Sequence, residues 1–401
     1  MTFPMAEAPP KLARQVAMLS QGDEAYGVGT VVLLCEQSLE GIQHFCFEDG
    51  PLYRALWAAG ADVSLVEGQR NFGSAGSLGV LLRLPGRLLD ARRVASRLAP
   101  LFRERGVRVV HSHWLPQQVL AVFLRRHGFA TVWHIHNNMN PRRLAGLGPR
   151  LNRLMARIGA TRVVAVSGFI AENWLGRGSR VEVVRNAAVP QGGGDAPPPP
   201  VPGRLRCVVA GRMAASKGIH VAVAAVLAAR RRGVDAVLDA YGGPLEDNPY
   251  CSEMRRAVEA EGAGDAVRFL GFTTELRRLQ VGYDVGLQCR VDPEPCSIWV
   301  CETIVDGLPL VASATGGTPE LVQDGRTGWL YPAGDADALA DHLQALAASP
   351  ERLAAARAEL RNGYAENFEP PRFAADLTRI YAAVLGEAGP AAASRPRGAA
   401  P

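Results

Sequence analysis

Short apolar runs rich in valine, leucine and isoleucine recur along the chain, separated by longer segments whose apolar residues return at helical spacing. In the first half the runs are residues 14–19, 42–47, 61–66, 107–110, 131–135, 163–166 and 181–184. Between them the pattern predicts helices over 30–39, 51–59, 86–106, 115–127 and 141–160, with a further helix carrying Asn173 and Trp174. In the second half, runs at 205–210, 236–240, 267–270, 284–288 and 309–312 alternate with a helix over 219–232, one beginning near Ser297, and three more over 336–347, 351–366 and 371–385. Nearly continuous apolar runs suit strands buried on both faces, and strand–helix alternation predicts parallel, doubly wound sheets. Residues 188–203 are rich in proline and glycine and can form no core, so they read as a linker between two domains. Residues 67–79 read as a polar, glycine-rich loop.

The chemistry gathers where runs end. After 205–210 come Gly211-Arg212, four small or apolar residues, Lys217-Gly218 and a helix. Strand, glycine loop and helix start form a usual phosphate cradle, because glycine lets the backbone approach and a helix N-terminus offers unpaired N–H groups. Arg212 and Lys217 lie five apart on that loop. The chain has two lysines, Lys11 and Lys217, against 42 arginines, so a lysine at this place stands out. A solvated charge at a helix start is the plain alternative. After 284–288 come Glu294 and Glu302, eight apart, the first in a loop and the second more than one turn into the next helix. Ligands of open parallel sheets bind at the carboxyl ends of strands, and carboxylates there accept hydrogen bonds from sugar hydroxyls.

Gly211-Arg212-x4-Lys217-Gly218, Glu294-x7-Glu302, Gly307-x-Pro309 and Gly316-Gly317-Thr318-Pro319-Glu320, in this order, resemble the family 4 (group 1) retaining glycosyltransferases. The resemblance is strong over 205–335 and extends by pattern to most of the chain. It implies the GT-B fold: α/β, with two Rossmann-like doubly wound domains facing a cleft and a C-terminal helix crossing back to the first domain. The implied organisation is an acceptor-binding domain over 12–187, the linker over 188–203, a nucleotide-sugar domain over 204–368, the crossover helix over 369–386 and a disordered tail over 387–401.

By the same resemblance, Arg212 and Lys217 bind the nucleotide diphosphate, Glu302 holds the ribose and Glu294 contacts the donor sugar. The amides from Cys296 through Ser297 to Ile298 touch sugar and phosphate, and Gly211 opens the loop. The family usually has Phe-Gly where this chain has Cys296-Ser297, and Glu-Ala where it has Glu302-Thr303. The lost glycine bears on the donor pose, although serine keeps its N–H and suits a helix N-cap. The implied activity is retaining transfer of a sugar from a UDP- or GDP-type donor to a hydroxyl, by front-face departure of the diphosphate. No motif requires a metal or a further cofactor. The rivals are an epimerase of the same fold and a nucleotide-sugar-binding scaffold without turnover.

In the first half, Gly27-Val28-Gly29 reads as a turn ahead of a helix at Thr30, without the full G-x-G-x-x-G spacing. The resembled family turns this loop, and so Gly29, toward donor phosphate and acceptor. His111 and His113 end one run, and His134 and His136 the next. The resemblance carries a donor-sugar contact to His136, while His134 reads as its packed neighbour. A metal reading of the four is poor, since they sit on two separate loops and no carboxylate or cysteine completes a set.

Charge adds one question. Residues 11–189 carry 23 Lys+Arg against 12 Asp+Glu, and the rest carry 21 against 27. A basic half fits an anionic acceptor or membrane surface, or simply arginine-rich solvated helices. In 141–160, Leu151, Leu154, Met155 and Ile158 recur opposite Arg150, Arg153 and Arg157. That stretch reads as a membrane-docking helix or, more commonly for such patterns, a core-facing helix with a solvated back. No stretch reaches the ~18 apolar residues of a bilayer span. The start lacks a signal-peptide pattern and the seven cysteines are scattered, so the expectation is a cytoplasmic protein, peripheral at most, with no nucleic-acid partner.

Overall fold

The computed structural model describes residues 10–23, 27–68, 77–138, 147–175, 181–191 and 203–387. The expected loop at 67–79, the linker at 188–203, the start of the basic stretch at 141–160 and the tail at 387–401 lie wholly or partly outside them. The chain folds as two compact units. One comprises Thr2–Val166, Ile170–Val184 and Phe373–Pro401, and the other Ser167–Phe169 and Arg185–Arg372.

The N-terminal unit is built on seven strands: β1 (Val16–Ser20), β2 (Gln43–Cys46), β3 (Asp62–Leu65), β4 (Val109–Ser112), β5 (Ala130–Ile135), β6 (Arg162–Ala165) and β7 (Val181–Val183). All pair in parallel, in the order β3-β2-β1-β4-β5-β6-β7. Alternation along the strands gives the sheet two unlike faces. Ala17, Leu19, Phe45 and Val110 point into an apolar cluster with Phe102, Leu120 and Phe129, where Phe102 meets Phe45 at 4.8 Å and Phe129 edge-on at 5.6 Å. The other face carries Met18, His44 and His111 in register across β1, β2 and β4, and is polar at its centre.

The second unit holds β8 (Arg204–Ala210), β9 (Asp235–Tyr241), β10 (Val267–Gly271), β11 (Val285–Gln288), β12 (Leu310–Ser313) and β13 (Gly328–Tyr331), ordered β10-β9-β8-β11-β12-β13 and again wholly parallel. Its core joins Cys207, Val209, Leu238 and Leu287 to Ala222, Val223 and Val226 of the helix Ile219–Arg231. In both sheets the strand order reverses beside the first strand, the place where doubly wound folds open a crevice at the strands' carboxyl ends.

Several elements depart from the pattern. The helix expected at 86–106 spans Ser77–Glu104 with Pro85 and Pro100 inside it. The helix expected over 351–366 ends at Glu359, and the chain kinks through Asn362 and Gly363, the latter at φ 93°. The strand Gly328–Tyr331 and the helix Pro249–Ala260 have no counterpart in the expectation. The first is a four-residue edge strand, too short for period-two alternation to register.

The basic helix, Leu147–Gly159, is not core-facing in the expected sense. Leu151, Leu154 and Ile158 are 39%, 53% and 51% exposed. At 100° per residue these three share one arc with exposed Arg150 and Arg157 rather than opposing them. The buried side carries Ala156 and Gly159, and the Nε of Arg153 donates to the Trp174 carbonyl at 2.8 Å.

Candidate functional site

The loop after β8 forms as its small residues allow. The Gly211 N–H donates to the Tyr241 carbonyl at 3.0 Å, and Ala215–Lys217 make one tight turn that ends at Gly218. Gly218 is left-handed, with φ 68°, and a Cβ there would lie 1.7 Å from the Cys289 carbonyl oxygen, so only glycine fits. This seats Lys217 beside the loop after β11. Its Nζ lies 3.6 Å from Oε2 of Glu294, which also accepts from Arg290 at 2.9 Å. Glu294 is 7% exposed, and Arg290 Nε is buried without a partner. Burial pulls the Lys217 amine below its ordinary value; the Glu294 carboxylate raises it, and Arg290 and Arg212 lower it further. Arg212 itself is exposed. Two cations, Lys217 and Arg290, therefore share one carboxylate at the carboxyl ends of β8 and β11, and Arg212 lies close enough to Lys217 to influence it.

At the helix start expected near residue 219, several N–H groups already have partners. The His220 N–H donates to the Tyr250 hydroxyl at 2.9 Å, and those of Val221 and Ala222 donate to the Gly218 carbonyl. That N-terminus is largely occupied. The helix Ile298–Val305 is different. Ser297 is its N-cap, its hydroxyl accepting from Val300 N–H at 3.3 Å, and Ile298 and Trp299 in the first turn have no intrahelical acceptor. The Cys296 side chain is buried and its carbonyl accepts from Asn186 Nδ2 at 2.9 Å, which fixes the approach to the helix.

Gly316 and Gly317 back this loop. Gly316 has φ 61°, and a Cβ on it would fall 2.2 Å from the Glu294 carbonyl oxygen and 2.4 Å from its nitrogen; the Gly317 N–H donates to that carbonyl at 2.7 Å. The pair thus holds the Glu294 backbone in place. Glu302, one turn further along the helix, is pushed up to about 7, chiefly by burial, with Asp306 adding to the rise and Arg277 opposing it. Asp306 is itself held by Arg277 at 2.5 Å and by Gln280 at 2.7 Å, and Gln280 accepts from Trp299 Nε1 at 3.1 Å.

Of the residues singled out in the sequence, Gly211, Arg212, Lys217, Glu294, Cys296, Ser297, Ile298 and Glu302 lie on these two loops and the helix that follows. Gly29 and His136 belong to the N-terminal unit. Gly29 is not in a turn: the helix Val28–Ser38 starts before it, and Gly27 is the N-cap. The four histidines are not on separate loops either. Pairing of β4 with β5 lays their rings on one face, with His111 and His113 centroids 4.5 Å apart and His134 and His136 centroids 4.2 Å apart. All are buried, which pulls each well below the ordinary imidazole value, His111 and His136 to about 3. Arg290, Gln280 and Asp306 were missed. Only the four-residue spacing of Arg290 and Glu294 signalled any of them.

The family described as "Glycosyl transferases group 1" matches residues 204–349, and that described as "Glycosyltransferase Family 4" matches residues 52–191. A putative colanic acid biosynthesis glycosyltransferase of Salmonella typhimurium is 31% identical over 147 residues, covering 35% of each chain. A GDP-mannose-dependent phosphatidylinositol monomannoside mannosyltransferase of Mycolicibacterium smegmatis is 31% identical over 166 residues, 39% of this chain and 42% of that one. The chain spans about a third to two fifths of the length of these curated relatives. Among solved structures, Anabaena HepE in complex with UDP superposes with a TM-score of 0.77 at 17% identity, over 92% of this chain and 100% of that one. The sucrose-phosphate synthase of Thermosynechococcus elongatus gives 0.69 at 18% identity, over 93% and 99%. The two parallel-sheet units are those of the GT-B fold.

Proposed function

Because the chain belongs to the family 4, group 1 glycosyltransferases, we propose that it moves a sugar, with retention, from a nucleotide diphosphate sugar to a hydroxyl acceptor. The observation that carries this is the convergence of Lys217 and Arg290 on Glu294, with Arg212 near Lys217, beside the first turn of the helix Ile298–Val305.

A diphosphate leaving group gains negative charge as its bond to the anomeric carbon breaks. Cations and N–H groups already fixed at that place stabilise the change without reorganising. Lys217 and Arg212 take the diphosphate, with Arg290 between it and Glu294, and the Ile298 and Trp299 amides complete the cradle. Glu294 accepts from hydroxyls of the sugar and Glu302 from the ribose. The acceptor oxygen attacks the anomeric carbon from the face the diphosphate leaves, and its proton passes to a departing phosphate oxygen. Charge, atoms and configuration then balance without a covalent enzyme intermediate. The placement of His136 at the donor sugar rests on the family resemblance.

HepE was solved with UDP, and the mycobacterial relative is named for GDP-mannose. Both bases therefore enter the test. The exposed stripe of Leu151, Leu154 and Ile158, flanked by Arg150 and Arg157, supports an acceptor presented at an anionic lipid surface. Among the described residues no helix is long and apolar enough to cross a membrane.

The test is calorimetric titration with UDP, GDP, ADP and their sugars. One base family should bind, and Lys217→Ala should weaken that binding by roughly 10–100-fold and cut transfer by about 10²–10³. Binding by none of them, or a Lys217→Ala variant that binds and turns over normally, would overturn the reading. Tight binding with no sugar transferred to any hydroxyl would favour a scaffold.

A further inference from the structure

The histidine face of the N-terminal sheet has chemistry that sugar transfer does not use. His111 and His113 stand on and just beyond β4, and His134 on β5, all on one side of the sheet. Their exposures are 0%, 4% and 0%. Ring centroids lie 5.4 Å apart for His111–His134 and for His113–His134. Strand pairing uses the backbone groups, so the rings must find partners of their own. Several ring atoms have none: His111 Nε2, His113 Nε2 and both nitrogens of His134 are buried without a hydrogen bond. One ligand nitrogen from each of the three residues lies within 4.8 Å of the others.

The remaining nitrogens are already engaged. His111 Nδ1 is 2.6 Å from the Tyr381 hydroxyl, and His113 Nδ1 is 2.9 Å from His136 Nε2. One nitrogen oriented by a fixed partner and the other left bare is how metal-ligating histidines are held. Waters could meet scattered polar atoms, but ring nitrogens from three histidines gathered within 4.8 Å of one another form a donor set.

We propose that His111, His113 and His134 form a binding site for a divalent transition metal ion. Zinc fits the ligand chemistry best: three imidazole nitrogens and one open position for water. Nε2 of His111 and of His113 and one nitrogen of His134 are the ligands. Zinc–nitrogen bonds run about 2.0–2.1 Å, so the rings draw inward on binding. The site also sets a proton. With Nε2 of His113 on the metal, its Nδ1 must carry hydrogen and donate to His136 Nε2, which leaves the proton of His136 on its own Nδ1. The site stands on geometry within one unit and does not depend on the transfer reading.

The test uses the full chain, stripped by chelator and titrated with Co2+ alone while visible absorption is recorded. One equivalent should bind with the intense bands of four-coordinate Co2+, and Zn2+ should displace it. Tyr381→Phe removes one hydroxyl from behind His111 and should weaken Co2+ binding roughly 10–100-fold with the fold intact. His134→Gln should abolish the bands. A weak, six-coordinate spectrum, or equal binding by wild type, Tyr381→Phe and folded His134→Gln, would overturn the site. The readout is the spectrum, so a failure of glycosyl transfer leaves it unaffected.

Discussion

At the scale of residues, the loops after β8 and β11 are governed by what cannot be changed. Gly316 is the clearest case, since a methyl group there would enter the Glu294 backbone from a left-handed conformation. Gly316→Ala should lower stability by about 1–3 kcal/mol and displace Glu294, so that donor affinity falls with it. Donor affinity unchanged in calorimetry would mean that the glycine pair does not position the loop. Glu302 makes a pH prediction. Its carboxyl ionises near 4.5 in the unfolded chain and near 7 when folded. Between those values the folded chain keeps a proton that the unfolded chain has lost, so stability falls as pH rises through the window and the cost is complete above it. Glu302→Gln should therefore raise the melting temperature relative to wild type at pH 8 and not at pH 5. An equal difference at both pH values would remove burial as the cause. Much of this was legible as residue types at fixed spacing: Lys217 and Glu294 fall on the loops after β8 and β11, and Glu302 on the helix that follows. Arg290 was missed, because its four-residue spacing from Glu294 carries meaning only once the fold turns it onto that carboxylate.

Among the elements, the helix Ile298–Val305 carries the departure from the family pattern. Ser297 stands where glycine is usual, and its hydroxyl caps the helix. Ser297→Ala should cost about 1 kcal/mol and Ser297→Gly only a few tenths, because glycine is itself tolerated at an N-cap. Urea unfolding of the two variants separates these outcomes; equal losses would mean that the hydroxyl does not cap. The sequence identified this helix start through its serine and also located the helix at residue 219, but not what meets its first amides. There the apolar pattern was right, but Tyr250, thirty residues on, takes the His220 amide, and no local signal announces a cap supplied by another element. The basic helix Leu147–Gly159 teaches the same point. Its period was legible, whereas which arc faces the sheet depends on neighbours that periodicity does not name.

For the molecule as a whole, the excess of 11 positive charges over residues 11–189 gains meaning from that exposed arc. The protein should bind vesicles containing anionic lipid and leave neutral ones, with binding falling as salt rises past the ~10 Å screening length of 0.1 M. Leu154→Asp should cut vesicle binding at least tenfold in co-sedimentation while nucleotide binding persists. Undiminished binding of that variant would assign the arc to another partner.

The sequence by itself determined the two parallel α/β units, most of their strands and helices, the loops that hold Gly211, Lys217 and Glu294, and the helix that carries Glu302. These follow from local periodicity, from the steric needs of glycine and from charges at strand ends, all of which are written in neighbouring residues. Only the tertiary structure decided that Arg290 and Lys217 share one carboxylate, that Tyr250 meets the helix start at residue 219, that the arginines of the basic helix border its exposed leucines, and that histidines from two strands stack on one face. Each depends on which distant segments meet, and for the histidines on register, since a shift of one residue in β4 or β5 would send that strand's rings to the other face.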